Sequence, residues 1–333
     1  MIGSNIVKDL ALRNYNQKIL VVDRISSRKK YLNLPSLRNI ELIDPVDLEL
    51  VFKKILNSSV KPIIYHMGAC SDTTEKDGEY LYKNNYAFSK LLIDFAVKES
   101  LTIINASSAS VYGLNLDSEE LEKNENPINH YAFTKLLVDH YIHQKIQENT
   151  NSKILSLRFF NVYGFGEFAK NRMASLAYKI YLRLNKSQTI QLFDESCGCK
   201  AGEHSRDFVY VEDVLKIINQ CIKKEVYGIY NLGSSMNRTF NDLALCCINS
   251  YNAVKGVEKV YDLEELIKSK LIEYISFPND LNDKYQSYTL AKMDKLSSNS
   301  IEIPATSLEE GILDYFIKLD QFEKTYRNFF KHE

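Results

Sequence analysis

Apolar and polar positions along this chain follow two rhythms. Short runs that are apolar almost throughout recur in the first half: KILVVD (Lys18 to Asp23), KPIIYH (Lys61 to His66), LTIINASS (Leu101 to Ser108) and KILSLRFF (Lys153 to Phe160). Between them lie longer stretches with apolar residues three and four apart, among them EYLYKNNYAFSKLLIDFAVKES and YAFTKLLVDHYIHQKIQ. A strand that is apolar on both sides must be covered on both faces, and helices of that spacing can cover it. The pattern therefore predicts an α/β fold: a doubly wound parallel sheet, with ligands bound beyond the carboxyl ends of its strands.

After about Gly164 the rhythm loosens into shorter, Tyr-rich segments such as FPNDLNDKYQSYT. RDFVYVEDVLKIINQCI reads as one more strand and helix returning to the sheet. The expected division is a dinucleotide-binding domain over 1–165 and about 205–232, and a smaller α/β substrate lobe over about 166–204 and 233–333. The opening MIGSNIVKDL reads as an amphipathic helix that starts at Gly3 with no strand ahead of it. Helices that follow a glycine turn hold dinucleotide phosphates at their N-termini. Asp23, at a strand end about 20 residues after Gly3, fits the ribose-binding acid of such a fold.

Composition narrows the class. The 333 residues are 45% hydrophobic and 26% charged, with a formal net charge of -1. That balance gives no basic footprint for nucleic acid. No apolar run approaches the roughly 20 residues of a membrane-spanning helix, and no signal peptide opens the chain. We expect a soluble, cytoplasmic protein. Six cysteines in a chain this long make no disulfide framework. Cys197, Cys199 and His204 match no usual zinc spacing, so no metal is expected.

The sharpest chemical signal is SSASVYG (Ser107 to Gly113) followed by YAFTK (Tyr131 to Lys135). Tyr131 and Lys135, four apart, share one face of a helix. An ammonium beside a phenol favours the phenolate and is expected to lower its pKa, which suits a proton shuttle near neutral pH. Ser108, ending the preceding strand, is placed to hydrogen-bond a reacting oxygen. His66 reads as a packed core histidine, and His140 and His143 as surface residues.

These stretches resemble the extended short-chain dehydrogenases/reductases, which have a Rossmann-like fold and include the nucleotide-sugar epimerases. HMGACSDTTEKDGEYLYKNNY, ASSASVYG, RFFNVYG, KNRMAS, RDFVYVEDV, YNLGS and DKYQSYT are similar, over nearly the whole chain, to the ADP-L-glycero-D-manno-heptose 6-epimerases. The resemblance implies that Tyr131 and Lys170 are acid/base groups on opposite faces of the sugar, with Lys135 holding the nicotinamide ribose and Ser108 on the reacting oxygen. It implies cofactor contacts from Gly3, Asp23, Arg24, Lys30, Met67, Gly68, Ala69, Cys70, Ser71 and Val162, and from Asn84, with Asn85 its near-equal neighbour. It implies an ADP-heptose held by Asn161, Arg172, Lys179, Phe193, Asp194, Glu195, Ser196 and Tyr285, with Arg206 on the phosphates. Arg206 also admits a second reading, an ion pair with Asp207 or Asp213. The implied cofactor is NADP. On the residues alone NAD stays open, since Asp23 suits NAD while Arg24 and Lys30 suit a 2'-phosphate. A homo-oligomer, a pentamer in such families, is implied too.

Three features depart from the pattern. The family begins with a strand and a full glycine turn before the IGSN helix, of which this chain shows only the last glycine; Met1 is expected to be an internal methionine of a longer natural chain. The loop DESCGCKAGEHSRDF is longer than usual before Arg206, and Arg172 stands where a small residue is more typical. The competing readings are another nucleotide-sugar epimerase or dehydratase of the UDP-hexose 4-epimerase type, and a non-catalytic truncated relative.

Overall fold

The structure is a computed structural model that describes residues 1–13, 18–24, 28–34, 39–148, 153–278, 285–304 and 306–326. Asp283 and Lys284 of the DKYQSYT stretch lie outside them. The four apolar runs form strands where the pattern puts them: β1 (Ile19–Val22), β3 (Ile63–His66), β4 (Thr102–Ser108) and β5 (Lys153–Phe159), with β2 (Ile40–Ile43) between the first two. All are parallel to their neighbours. Successive residues of β4 enter opposite cores, as strand alternation requires. Ile103 packs with Leu92, Ile93, Val138 and Ile142, and Ile104 packs with Ile6, Leu215 and Ile218. Helices α2 (Phe88–Lys98) and α3 (His130–Gln147) therefore cover one face of the sheet, and α1 (Ile2–Arg13) and α4 (Val211–Lys223) cover the other.

The parallel sheet comes in two hydrogen-bonded pieces. One has the order β3-β4-β5-β9, where β9 is Gly228–Leu232, and the other is the pair β1-β2. Among the described residues no ladder joins β1 to β3, so each pairs on one side only. Helix α1 lies across this seam, packed on β1 and on the end of β3, where a Cβ placed on Gly3 would sit 3.5 Å from Met67.

The returning strand is a correction. RDFVY forms β8 (Ser205–Tyr210), which does not join the parallel sheet. It sits between β6 (Asn161–Tyr163) and β10 (Asn237–Thr239) in a small mixed sheet, and β9, seventeen residues on from Val211, is the strand that returns. The reason lies in the partner. The bend after Phe160 turns Asn161–Tyr163 out of line with β5 and offers β8 a parallel edge. The second lobe adds β7 (Ile190–Phe193) paired with β11 (Ile272–Ile275) and a core of its own, built around Tyr163, Tyr181, Tyr315 and Phe316.

The EYLYKNNYAFSK helix also differs from the plain helix its periodicity predicts. Between Gly78–Leu81 and α2 the chain makes a wider turn over Tyr82–Ala87 with the π-helical hydrogen-bond pattern. Such inserted turns re-aim side chains and concentrate at functional sites.

Candidate active site

Ser108 ends β4 in extended backbone, and its hydroxyl caps the next turn by accepting from the Ser110 amide at 3.2 Å. The turn closes at Gly113, whose φ of 58° and whose place against the chain both demand glycine. An added Cβ would lie 1.8 Å from the Asn126 carbonyl oxygen. The chain then reaches Asn129, extended and followed by a helix. Its side chain accepts from the Ala132 amide at 2.8 Å, an N-cap that fixes where α3 begins. Tyr131 and Lys135 thus stand on the first turns of α3 over the end of β4.

Tyr131 is half-buried, with the Ser108 hydroxyl near enough to act on its phenol. Its pKa is raised, because burial disfavours the phenolate more than the Ser108 hydroxyl favours it. This corrects the expected lowering by Lys135. The buried Lys135 ammonium lies 5.9 Å from the Tyr131 ring centre and donates to the Ala106 carbonyl at 2.6 Å, so its charge is directed at the strand. Burial also pushes Lys135 down to about 8, against the raising influence of Asp139 and Cys70.

The loop after β3 lines the next edge. Gly68 has open space where a Cβ would go. Cys70 is pinned on both sides of its peptide: its amide donates to Asn85 Oδ1 at 2.8 Å, and Asn85 Nδ2 donates to its carbonyl at 3.0 Å. Asn84, the expected contact, is one step round the wide turn and bonds Tyr80 of its own helix. The π turn therefore selects Asn85, which periodicity could not do. Met67 is half-buried against the sheet core, and Ala69 and Ser71 follow it on the same loop. Asp23 and Arg24, both exposed at the end of β1, are bridged by Lys30, whose ammonium lies 3.0 Å from Asp23 Oδ1 and 2.7 Å from the Arg24 carbonyl. Val162 packs between the two cores.

Opposite stands the second lobe. Arg206 is buried and donates to the Ser205 carbonyl, with its guanidinium 4.9 Å from the Tyr285 ring centre and 5.4 Å from that of Phe240. Among the described residues no carboxylate pairs with it. Asp207 accepts from the Ser234, Ser235 and Ala291 amides, and Asp213 pairs with Lys216, so the ion-pair reading of Arg206 is not realised. Phe193 meets Tyr285 edge-on at 6.0 Å, and Ser196 bonds His204. Asp194, Glu195 and Lys179 are exposed. Asn161 donates to Thr289 and to the Asp207 carbonyl. A cavity of about 320 Å³ opens beside Tyr285, walled by Leu114, Leu116 and Cys197.

Lys170 and Arg172 ride on a turn held by Glu167, which is fully buried and accepts from the Gly164 amide at 3.0 Å and the Ser175 hydroxyl at 2.9 Å. Arg172 is exposed and pairs with Asp72 of the loop after β3, one hundred residues earlier in the chain. Lys170 is half-buried, and burial, with the Lys170 charge adding to it, holds Lys179 below its usual range. Among the described residues no contact joins it to Tyr131.

The NAD dependent epimerase/dehydratase family matches residues 1–233. The chain belongs to this family. Two curated relatives, each named ADP-L-glycero-D-manno-heptose-6-epimerase, extend the likeness to nearly full length. The Cupriavidus pinatubonensis protein is 35% identical over 315 residues, 94% of either chain, and the Thiobacillus denitrificans protein is 37% identical over 322 residues, 96% of either. The crystal structure of Helicobacter pylori ADP-L-glycero-D-manno-heptose-6-epimerase matches with a TM-score of 0.76 and 29% identity, covering 96% of this chain and 93% of that one. A Methanobrevibacter ruminantium UDP-N-acetylglucosamine 4-epimerase shares the fold, with a TM-score of 0.77 at 22% identity and 96% coverage of both.

As an epimerase/dehydratase family member the chain must seat a nicotinamide dinucleotide, and its residues fit one. The carboxyl ends of β1, β3 and β4 carry an acid with cations beside it, an open glycine with its loop pinned behind, and a hydroxyl–phenol pair over a buried ammonium. The sequence left Asn84 and Asn85 near equal, and it did not single out Glu167, which ties its own turn together, or Asp139, whose partners lie on β4 and β5.

Proposed function

We propose that the protein epimerises ADP-D-glycero-β-D-manno-heptose to its L-glycero partner by inversion at C6, using NADP, in the supply of heptose for the lipopolysaccharide inner core. The observation that carries the reading is the hydroxyl–phenol–ammonium constellation of Ser108, Tyr131 and Lys135 at the end of β4, together with the buried Arg206 guanidinium against the Tyr285 ring. A bound nicotinamide supplies reversible hydride exchange with a sugar carbon, with no net redox change over a turnover.

The chain's own groups do the proton work. Tyr131 takes the proton of the sugar hydroxyl as the carbonyl forms, while the Ser108 hydroxyl bonds the same oxygen. Inversion needs a second proton donor on the other face, and Lys170 fills that role once the lobes close on the sugar. The proton removed in the first half is matched by the proton returned in the second. The Arg206 guanidinium, buried without a carboxylate partner among the described residues, suits a diphosphate, which accepts its planar fork. NADP is favoured over NAD because Lys30 neutralises Asp23 and leaves Arg24 as net positive charge at the end of β1.

The test is conversion of ADP-D-glycero-β-D-manno-heptose by the purified protein, followed by proton NMR at C6 in deuterated water. Inversion with the C6 hydrogen retained supports the reading. No conversion of this sugar alongside conversion of a UDP-hexose at C4 overturns it.

A further inference from the structure

Beneath the Ser108–Tyr131 pair lies a buried ion pair that the chemistry above does not use. Asp139, one turn beyond Lys135 on α3, has no exposed surface, and Arg158 of β5 has almost none. Arg158 Nε donates to Asp139 Oδ2 at 2.8 Å. The other partners of Asp139 are hydroxyls of the two strands that carry the site: Ser107 Oγ donates at 2.8 Å from β4, and Ser156 Oγ donates at 2.8 Å from β5. Arg158 goes on to the Tyr112 hydroxyl at 3.1 Å and to Glu125, and Tyr112 donates to Asn231 at 2.7 Å. Every member of this chain is satisfied by another.

A buried ion pair is weak evidence for stability, since desolvation offsets most of its attraction and an apolar pair of the same shape often does as well. What it does supply is direction. Ser107 directly precedes Ser108, and Asp139 is the helical neighbour of Lys135. The Ser107–Asp139 bond and the Lys135–Ala106 bond together fix α3 on β4 at two points one turn apart.

We propose that Asp139, held by Arg158, is a positioning residue for the reaction: through Ser107 it sets the height of α3 on β4, and so the aim of the Tyr131 phenol at Ser108. The inference rests on the reading of Tyr131 as the proton carrier. It also has an electrostatic side. The groups that face Lys135 are Asp139 and Tyr131 from its own helix, and His66 and Cys70 from β3 and the loop after it, with the Ala106 carbonyl in contact. Asp139 is the carboxylate among them, and it raises the Lys135 pKa against the larger lowering by burial.

Two variants test it in the full chain, with ADP-D-glycero-β-D-manno-heptose as substrate. Ser107→Ala removes one hydroxyl and leaves the ion pair; kcat is expected to fall about tenfold with KM unchanged, a misplacement effect. Asp139→Asn is expected to lower kcat further and to move the basic limb of the kcat profile down by about one pH unit, because Lys135 loses its ammonium sooner without the nearby anion. A merely structural role would lower the melting temperature without moving that limb. Wild-type kcat in Ser107→Ala overturns the proposal, and so does an unmoved basic limb in Asp139→Asn. If Asp139→Asn does not fold, Ser107→Ala decides alone. Tyr131→Phe serves as the control. Wild-type turnover in that variant would sink the reading of the active site itself, whereas loss of turnover beside an unaffected Ser107→Ala would sink only the positioning role.

Discussion

The two pieces of the parallel sheet make different kinds of site. On the β3-β4-β5-β9 piece, five of the seven residues of β4 and six of the seven of β5 are buried; Asn105 donates to Ser156 across the strands, and Ser107, Ser156 and Arg158 converge on Asp139 of α3. On the β1-β2 piece all four residues of β1 are only half-buried, and the strand ends in an exposed acid whose contacts are to Lys30. The difference follows from pairing. A strand with neighbours on both sides is held in two ladders and covered on two faces, while among the described residues β1 has one ladder, with α1 packed on it at the seam. Under the proposed function, the proton chemistry stands on the more deeply buried piece and the residues proposed for the adenosine end of the cofactor on the less buried one.

The largest expected effect breaks the chemical side of that contrast. Tyr131→Phe removes the group that carries the proton and leaves the packing of α3 intact, so turnover should fall by about 10²–10⁴-fold, the usual worth of a positioned acid/base. Cofactor binding should be preserved, since Lys135 and the loop after β3 are untouched. The check is the epimerisation rate beside a fluorescence titration with NADP. A variant with near wild-type turnover would move the chemistry away from the β4 end altogether.

The contrast itself is measurable by native-state hydrogen exchange. Amides of β4 and β5 should exchange about 100-fold more slowly than those of β1 and β2, because the latter open locally without unfolding the main core, a difference of roughly 3 kcal/mol. Equal protection in the two pieces would show that the seam carries no energetic meaning. Protection that becomes equal only when NADP is added would sharpen the comparison, by showing that the cofactor joins the two pieces.

How much of this was legible in the sequence follows the same divide. The apolar runs of β3, β4 and β5 were plain because burial on both faces leaves no alternation to misread, and Ser108, Tyr131 and Lys135 were plain because their spacing is local. What was not legible depends on distant partners. That β8 leaves the parallel sheet is decided by its neighbours β6 and β10, not by its own residues, which read as any buried strand. That Asn85 rather than Asn84 holds the Cys70 loop is decided by a π turn, to which a period of 3.6 residues is blind. The sign of the Tyr131 shift was misjudged because a lysine four residues away was assumed to face the phenol, whereas its ammonium is taken by the Ala106 carbonyl. Nor was the pairing of Arg172 with Asp72 legible, since the two are one hundred residues apart.

His66 offers a pH test of the more deeply buried piece. It ends β3, buried, with Nε2 2.7 Å from the Ser89 hydroxyl, and burial, helped by the Lys135 charge, pushes its pKa down to about 3 from 6.5. The unfolded chain binds a proton below about pH 6.5 that the folded chain refuses until about pH 3. This contribution therefore makes stability fall as pH drops through that window, by up to about 1.4 kcal/mol per pH unit. Urea unfolding between pH 6.5 and 4.5 should show the decline, and His66→Gln should flatten it. An equally steep decline in the variant would assign the acid sensitivity to other groups.

The smallest expected effect sharpens the less buried side. Lys30 reaches across the end of β1 to Asp23 and to the Arg24 carbonyl, and so turns an acid that would repel a 2'-phosphate into part of a group with net positive charge. Lys30→Ala should release Asp23 to accept from a free ribose hydroxyl. Affinity for NADP should then fall about tenfold, in the range of one charge-assisted contact, while affinity for NAD stays the same or rises. Both follow from titrations on one preparation, and the epimerisation rate at saturating NADP should be unchanged, because Ser108, Tyr131 and Lys135 stand on the other piece of the sheet. A parallel loss of both cofactors would mean that Lys30 holds the end of β1 in shape rather than reading the phosphate. A loss of rate at saturation would mean that the two pieces are coupled in turnover.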